Sequence, residues 1–172
     1  MKIEDIEKRA LDYCKEKEIE SYPVNIVNLC KSENISVFEK YLPPDVSGFI
    51  VTDKEKVLNY DFNKVIVVNL SDNARRRRFT IAHELAHYIL HRNNEDELFA
   101  HRDVGNNSDK EIEANTFASV ILMPEYLVKE ALDDLIEQQG YAYSFEKVDW
   151  ISSQFAVSFA AAEVRLKKLK LI

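Results

Sequence analysis

Nowhere does the chain carry the ~20 consecutive apolar residues that a membrane-spanning helix needs, so no membrane partner is expected. The opening Met1-Lys2-Ile3-Glu4-Asp5 runs straight into a polar amphipathic segment. It has neither the apolar centre nor the small-residue cleavage site of a secretory leader, and a cytoplasmic location is the expectation. Cysteine is scarce. Cys14 and Cys30 fall at apolar positions of separate helical patterns, outside any Cys-x-x-Cys pair, which excludes a disulfide scaffold and a cysteine metal knuckle. Reduced, semi-buried thiols are expected. No internal repeat or low-complexity stretch is visible, which excludes a solenoid. Positive charge is in the minority: 23 Lys and Arg face 30 Asp and Glu, for a net charge of −7. A protein whose main task is coating nucleic acid carries the opposite balance, so direct nucleic-acid binding is not expected.

What is present fits a soluble globular chain. Its 172 residues, 46% hydrophobic and 31% charged, suffice for one domain with a real core. Apolar residues at helical spacing predict helices over Ile3 to Lys17 and from Pro23 through Cys30. Short strands are predicted at Ile35 to Phe38, Gly48 to Val51, Val57 to Tyr60 and, most strongly, Lys64 to Asn69. Ser71-Asp72-Asn73 offers capping side chains for a helix from Ala74 to His91. Further helices are predicted over Asp109 to Leu122 and Glu125 to Gln139, the latter ended by Gly140, followed by two short helices around Val157-Ser158. The expected organisation is a single domain over 1–172, with a core over about 1–139 and a C-terminal helical segment over about 145–172.

The chemistry lies in His83-Glu84-Leu85-Ala86-His87. On a helix, residues four apart share a face, so both imidazoles can reach one metal ion. Glu84 sits about 100° around from His83, beside the ion rather than on it. Zinc would lower the pKa of a coordinated water toward ~7, and Glu84 could take its proton as general base and return it to a leaving amine. The remaining helix positions are apolar, including Phe79, Ile81, Ala82, Leu85 and Ile89. A largely buried helix has to satisfy such polar groups, and a metal does so.

A catalytic zinc takes three protein ligands and an open position. His91 continues the same helix, but three histidines on one straight helix spread over ~12 Å and do not close on one ion. No third histidine follows a glycine turn. His101, in a polar loop, is a weak candidate. Glu111 and Glu113 open the next predicted helix. Ala114 and Ala118 form a small-residue stripe suited to packing on the metal helix; Glu111 lies one turn back along it, whereas Glu113 points about 100° away. The faces favour Glu111, with Glu113 and His101 as alternatives.

Three blocks in order, Arg78-Phe79-Thr80-Ile81-Ala82-His83-Glu84-Leu85-Ala86-His87, Glu111-Ile112-Glu113-Ala114-Asn115-Thr116-Phe117-Ala118 and Ile121-Leu122-Met123-Pro124, resemble the ImmA/IrrE family of metallopeptidases. The likeness extends from about Val24 to Ile172. It implies a zincin-like (gluzincin) α+β fold, with a small, mostly antiparallel sheet packed on the metal helix, additional helices and a C-terminal helical pair. It implies one zinc ion held by His83, His87 and Glu111, with Glu84 as general base. It further implies an endopeptidase acting on a helix-turn-helix-type repressor to relieve repression of a mobile element or of stress-response genes. The alternative is a non-catalytic regulatory protein that binds a repressor or DNA and carries a structural metal; the presence of Glu84 speaks against it.

Several features admit plainer readings. The run Arg75 to Arg78 opposes the dipole of its own helix, and solvated or salt-bridged arginines are expected, with Glu95 to Glu97 as candidate partners; docking of an acidic partner is the alternative. The tail has the spacing of a helix-turn-helix and is locally basic through Arg165, Lys167, Lys168 and Lys170. Phe159, where a groove-facing polar residue would sit, favours a packing pair instead. Val65 to Asn69 is expected at a sheet edge by the cleft, open to an extended substrate. Tyr141 and Tyr143 are candidate oxyanion donors or simple amphipathic packers.

Overall fold

Apolar periodicity and local caps set the helices. In α1 (Ile3–Glu16), Ile6, Ala10, Tyr13 and Cys14 return to one buried face. The computed structural model describes residues 1–52, 56–57, 60–61, 64–91 and 109–172, with 56–57 and 60–61 described by backbone alone. Glu95 to Glu97 and His101 lie outside the described residues. The second helix, α2 (Ile26–Ser32), begins at Ile26 rather than at Pro23, because the Asn25 side chain accepts the Asn28 N–H at 3.1 Å and supplies the cap.

Three strands form the main sheet: β1 (Ser36–Lys40), β2 (Gly48–Thr52) and β5 (Lys64–Asn69), in the order β1-β5-β2. β1 runs parallel to β5, from Ser36↔Val65 to Lys40↔Asn69; β2 runs antiparallel to it, from Gly48↔Val68 to Thr52↔Lys64. A separate antiparallel pair joins β3 (Lys56–Val57) to β4 (Tyr60–Asp61). Antiparallel pairings therefore predominate, with one parallel pairing among them. Two expectations change. Val57 and Tyr60, assigned to one strand, face each other across two. β5 is not an edge: both its sides are hydrogen-bonded, and Val65 to Val68 are all buried, as a strand covered on both faces requires.

The sheet packs on α3 (Ala74–His91) through both β5 and β2. A Cβ on Gly48 would lie 2.6 Å from Thr80 Cγ2 and 2.7 Å from the Val67 carbonyl oxygen, so only glycine fits. The buried Asn69 side chain closes the end of β5. Its amide donates to the carbonyls of Leu42, Pro43 and Val46, and its oxygen accepts from the N–H groups of Leu42 and Ser71. α3 is capped by Asn73, whose Oδ1 accepts the Arg76 N–H at 3.0 Å.

On the other side of α3 lies α4 (Asp109–Leu122), which buries Ala114, Phe117, Ala118 and Ile121 and is backed by α1. Pro124 turns the chain into α5 (Glu125–Gln139), which ends at Gly140 in a left-handed conformation, φ 76°. The tail forms α6 (Ser144–Gln154) and α7 (Phe159–Lys168), the latter capped by Ser158. Trp150 donates to the Ala131 carbonyl at 2.8 Å, and the buried Arg165 donates to the Met123 carbonyl at 3.0 Å, fastening both helices to the rest. One cluster of buried residues runs from Ile6 to Leu166. Cys14 and Cys30 are free and fully buried within it, and burial pushes both thiols up to about 12.

Candidate metal centre

Helical geometry puts His83 and His87 on one face of α3, and their Nε2 atoms lie 2.9 Å apart. Glu111, in the first turn of α4, reaches both: Oε2 is 3.2 Å from His83 Nε2 and Oε1 is 3.1 Å from His87 Nε2. Each of the three residues offers a ligand atom, and these atoms all lie within 4.8 Å of one another. Four atoms arranged tetrahedrally at ~2.1 Å from a zinc ion are separated by about 3.4 Å. The two Glu111 distances, one to each carboxylate oxygen, are near that edge length, and the histidine nitrogens lie closer together than it. Two imidazole nitrogens facing each other at this distance also need a proton or a cation between them, so the donor set fits a divalent ion.

Asn115, one turn beyond Glu111, holds the first imidazole. Its Oδ1 lies 2.9 Å from His83 Nδ1. An amide oxygen only accepts, so Nδ1 carries the proton and Nε2 keeps its lone pair toward the group. Burial works to lower the His83 pKa, but the carboxylates of Glu111 and Glu84 outweigh it and hold the ring above its ordinary value. Glu84 is itself buried, a step around α3 from His83.

The M78 peptidase family, described as the IrrE N-terminal-like domain, matches residues 30–167. This chain belongs to that family. It is 32% identical over 122 residues to an uncharacterized immunity region protein (protein 2) of Bacillus phage phi105, covering 67% of this chain and 73% of that protein. Its fold resembles that of a solved Mycobacterium tuberculosis transcriptional regulator, with a TM-score of 0.60 and 19% identity, over 95% of this chain. The chain spans 46% of the regulator's length, so that likeness concerns the fold alone.

Glu113, the other described candidate of this M78 chain, sits elsewhere. Glu113 is buried but turns to the Met1 ammonium and to His91, whose Nε2 is 3.7 Å from its Oε2. It does not join the His83, His87 and Glu111 group. No helix among the described residues is long and apolar enough to cross a membrane. Sequence reasoning missed Asn115 as a holder of His83, although its place four residues after Glu111, on the same face, was the available signal.

The arginine run is bonded throughout. Arg75 donates to Ser152 Oγ, Arg76 to Ser47 Oγ and Asp72, Arg77 to Glu39 and to the Leu70 and Asp72 carbonyls, and Arg78 to the Val24 and Phe155 carbonyls. These bonds fix the start of α3 to β1, to the turns before β2 and α3, to Val24 ahead of α2, and to the end of α6. The basic tail is likewise engaged: Arg165 and Lys168 face Glu7, and Lys167 faces Glu163.

Proposed function

We propose that this chain is a cytoplasmic zinc endopeptidase that cuts a helix-turn-helix-type transcriptional repressor and so releases the genes of a mobile element or a stress response. The observation that carries this reading is the convergence of His83, His87 and Glu111 beside the buried Glu84. Two neutral imidazoles and one carboxylate would hold a single zinc ion and leave a fourth coordination position. Zinc bound there would supply a Lewis acid for the scissile carbonyl and lower the pKa of water at the site.

The chain's own residues do the rest. Asn115 keeps His83 in the tautomer that points Nε2 inward. Glu84 takes the proton from the attacking water and passes it to the leaving amine as the peptide bond breaks. With β5 enclosed by its neighbours, an extended substrate would pair along an outer strand, and β2, which packs on α3, is the candidate. The description of the phage relative as an immunity region protein supports a substrate in the control of a mobile element.

The test mixes the purified, zinc-loaded chain with candidate helix-turn-helix repressors from its own genomic neighbourhood. Cleavage is expected, with loss on chelation and return on adding zinc. Glu84→Gln should retain zinc and lose cleavage, while His83→Ala should lose the metal. Cleavage by Glu84→Gln at the wild-type rate would show that the mechanism is wrong. A zinc-independent complex with an uncut repressor would favour a binding protein instead.

A further inference from the structure

Five large apolar side chains near the C-terminus stand open to water. Tyr141, Tyr143, Phe145, Phe159 and Val164 are 65, 68, 69, 36 and 64% exposed. Tyr141 and Tyr143 meet edge to face with centroids 5.0 Å apart, and Phe145 at the start of α6 meets Phe159 at the start of α7 at 5.3 Å. Such a concentration of exposed rings marks an interaction surface.

The surface is not built for DNA. The outer face of α7 carries Phe159, Ala160 and Val164 and then Lys167 and Lys168, and Arg165 is turned into the core. The rim is acidic. Glu146 follows Phe145 and accepts the Tyr143 N–H at 2.7 Å, Asp149 lies one turn beyond Phe145, and both are exposed. Three nearby lysines have partners: Lys147 donates to the Leu171 carbonyl at 3.1 Å, Lys167 pairs with Glu163 at 2.6 Å and Lys168 with Glu7 at 2.8 Å.

We propose that this aromatic patch docks an amphipathic helix of a protein partner, one with an apolar stripe flanked by lysine or arginine. The apolar stripe would cover the rings, and the basic flanks would meet Glu146 and Asp149. This adds an anchoring site to the proposed function and rests on that reading only for what the anchoring serves.

The full chain is titrated against fluorescein-labelled synthetic helices of leucine, alanine and lysine, with anisotropy as the readout. Matched helices carry glutamate in place of lysine, or the same residues scrambled so that no apolar face forms. The basic amphipathic helix should bind, and the Tyr143→Ser/Phe145→Ser double variant should weaken binding at least ~10-fold, as loss of aromatic anchors does. Glu146→Gln/Asp149→Asn should weaken it a few-fold and flatten its salt dependence. Both pairs are exposed, and circular dichroism verifies that the variants remain folded. Undiminished binding by the serine variant overturns the proposal, as does equal binding of the glutamate helix. So does a wild-type dimer in sedimentation that the serine variant abolishes, since a second copy would then own the patch. No peptide bond is cut in this assay, so its failure leaves the hydrolytic reading standing.

Discussion

Asn115→Ala removes the acceptor 2.9 Å from His83 Nδ1 and touches no ligand atom of the candidate metal group. Partners of this kind change metal affinity by 10–100-fold when lost, about 1.4–2.7 kcal/mol. Asn115 is exposed, so water can take up the freed Nδ1 proton, and the low end applies. The expectation is a loss of about 10-fold in zinc affinity, because the His83 ring loses its fixed tautomer and orientation. Competition with a fluorescent chelator near neutral pH measures it directly, alongside circular dichroism to show an intact fold. Asn115→Asp keeps an acceptor at the same place and should restore affinity to the wild-type level or above. If Asn115→Ala binds zinc within about twofold of wild type, Asn115 does not position His83, because the low end of this effect is tenfold.

Gly48→Ala drives a methyl group against Thr80 Cγ2 and the Val67 carbonyl. Overpacking of this kind costs ~1–3 kcal/mol, at roughly 2–4 °C of melting temperature each; adding Thr80→Ser should recover only part, because the carbonyl stays. Phe117→Ala empties a fully buried site beside Tyr13 and should cost about 3–5 kcal/mol in urea unfolding. In metal-free protein the raised His83 pKa contributes stability that is fully present below the ordinary value near 6.5 and lost as pH rises through the folded value. Zinc must displace that proton, so zinc affinity should fall as pH drops through the same window. Calorimetric melts of the metal-free and zinc-loaded forms should therefore trend oppositely with pH, and parallel trends would contradict the assignment.

Local rules made the metal helix legible: four-residue spacing places His83 and His87 on one face whatever surrounds them. Glu111 was harder, because it arrives on another helix; the small side chains of Ala114 and Ala118 were the trace of close α3–α4 packing that oriented it. Strand order was misread. Val65 to Val68 is an unbroken apolar run, which a strand covered on both faces produces, yet nothing local says which strands flank it. Val57 pairs with Tyr60 across β3 and β4, and the sequence between them, Leu58-Asn59, has no glycine or proline to mark a break. The partners of the arginine run, from Glu39 to Phe155, are distant in sequence and invisible to any helical spacing.

That arginine run explains how an unfavourable local choice serves the centre. Four cations in the first turns of α3 oppose its dipole, so they reduce the helix's own stability. Each is bonded outside the helix interior, to Ser152, to Ser47 and Asp72, to Glu39, and to the Val24 and Phe155 carbonyls. The helix bearing His83 and His87 is thereby anchored at its start by tertiary bonds. The third donor has a different support: Glu111 is placed by α4, whose position depends on Phe117, Ala118 and the packing of α1. Damage to the α4 core should therefore loosen metal binding through Glu111 while the two histidines stay aligned. Damage to the arginine bonds should lower stability first and metal affinity only as the fold is lost. Comparing Phe117→Val with Arg76→Gln, by zinc affinity relative to melting temperature, separates the two supports. An equal ratio for both would mean that the centre is held as a single unit.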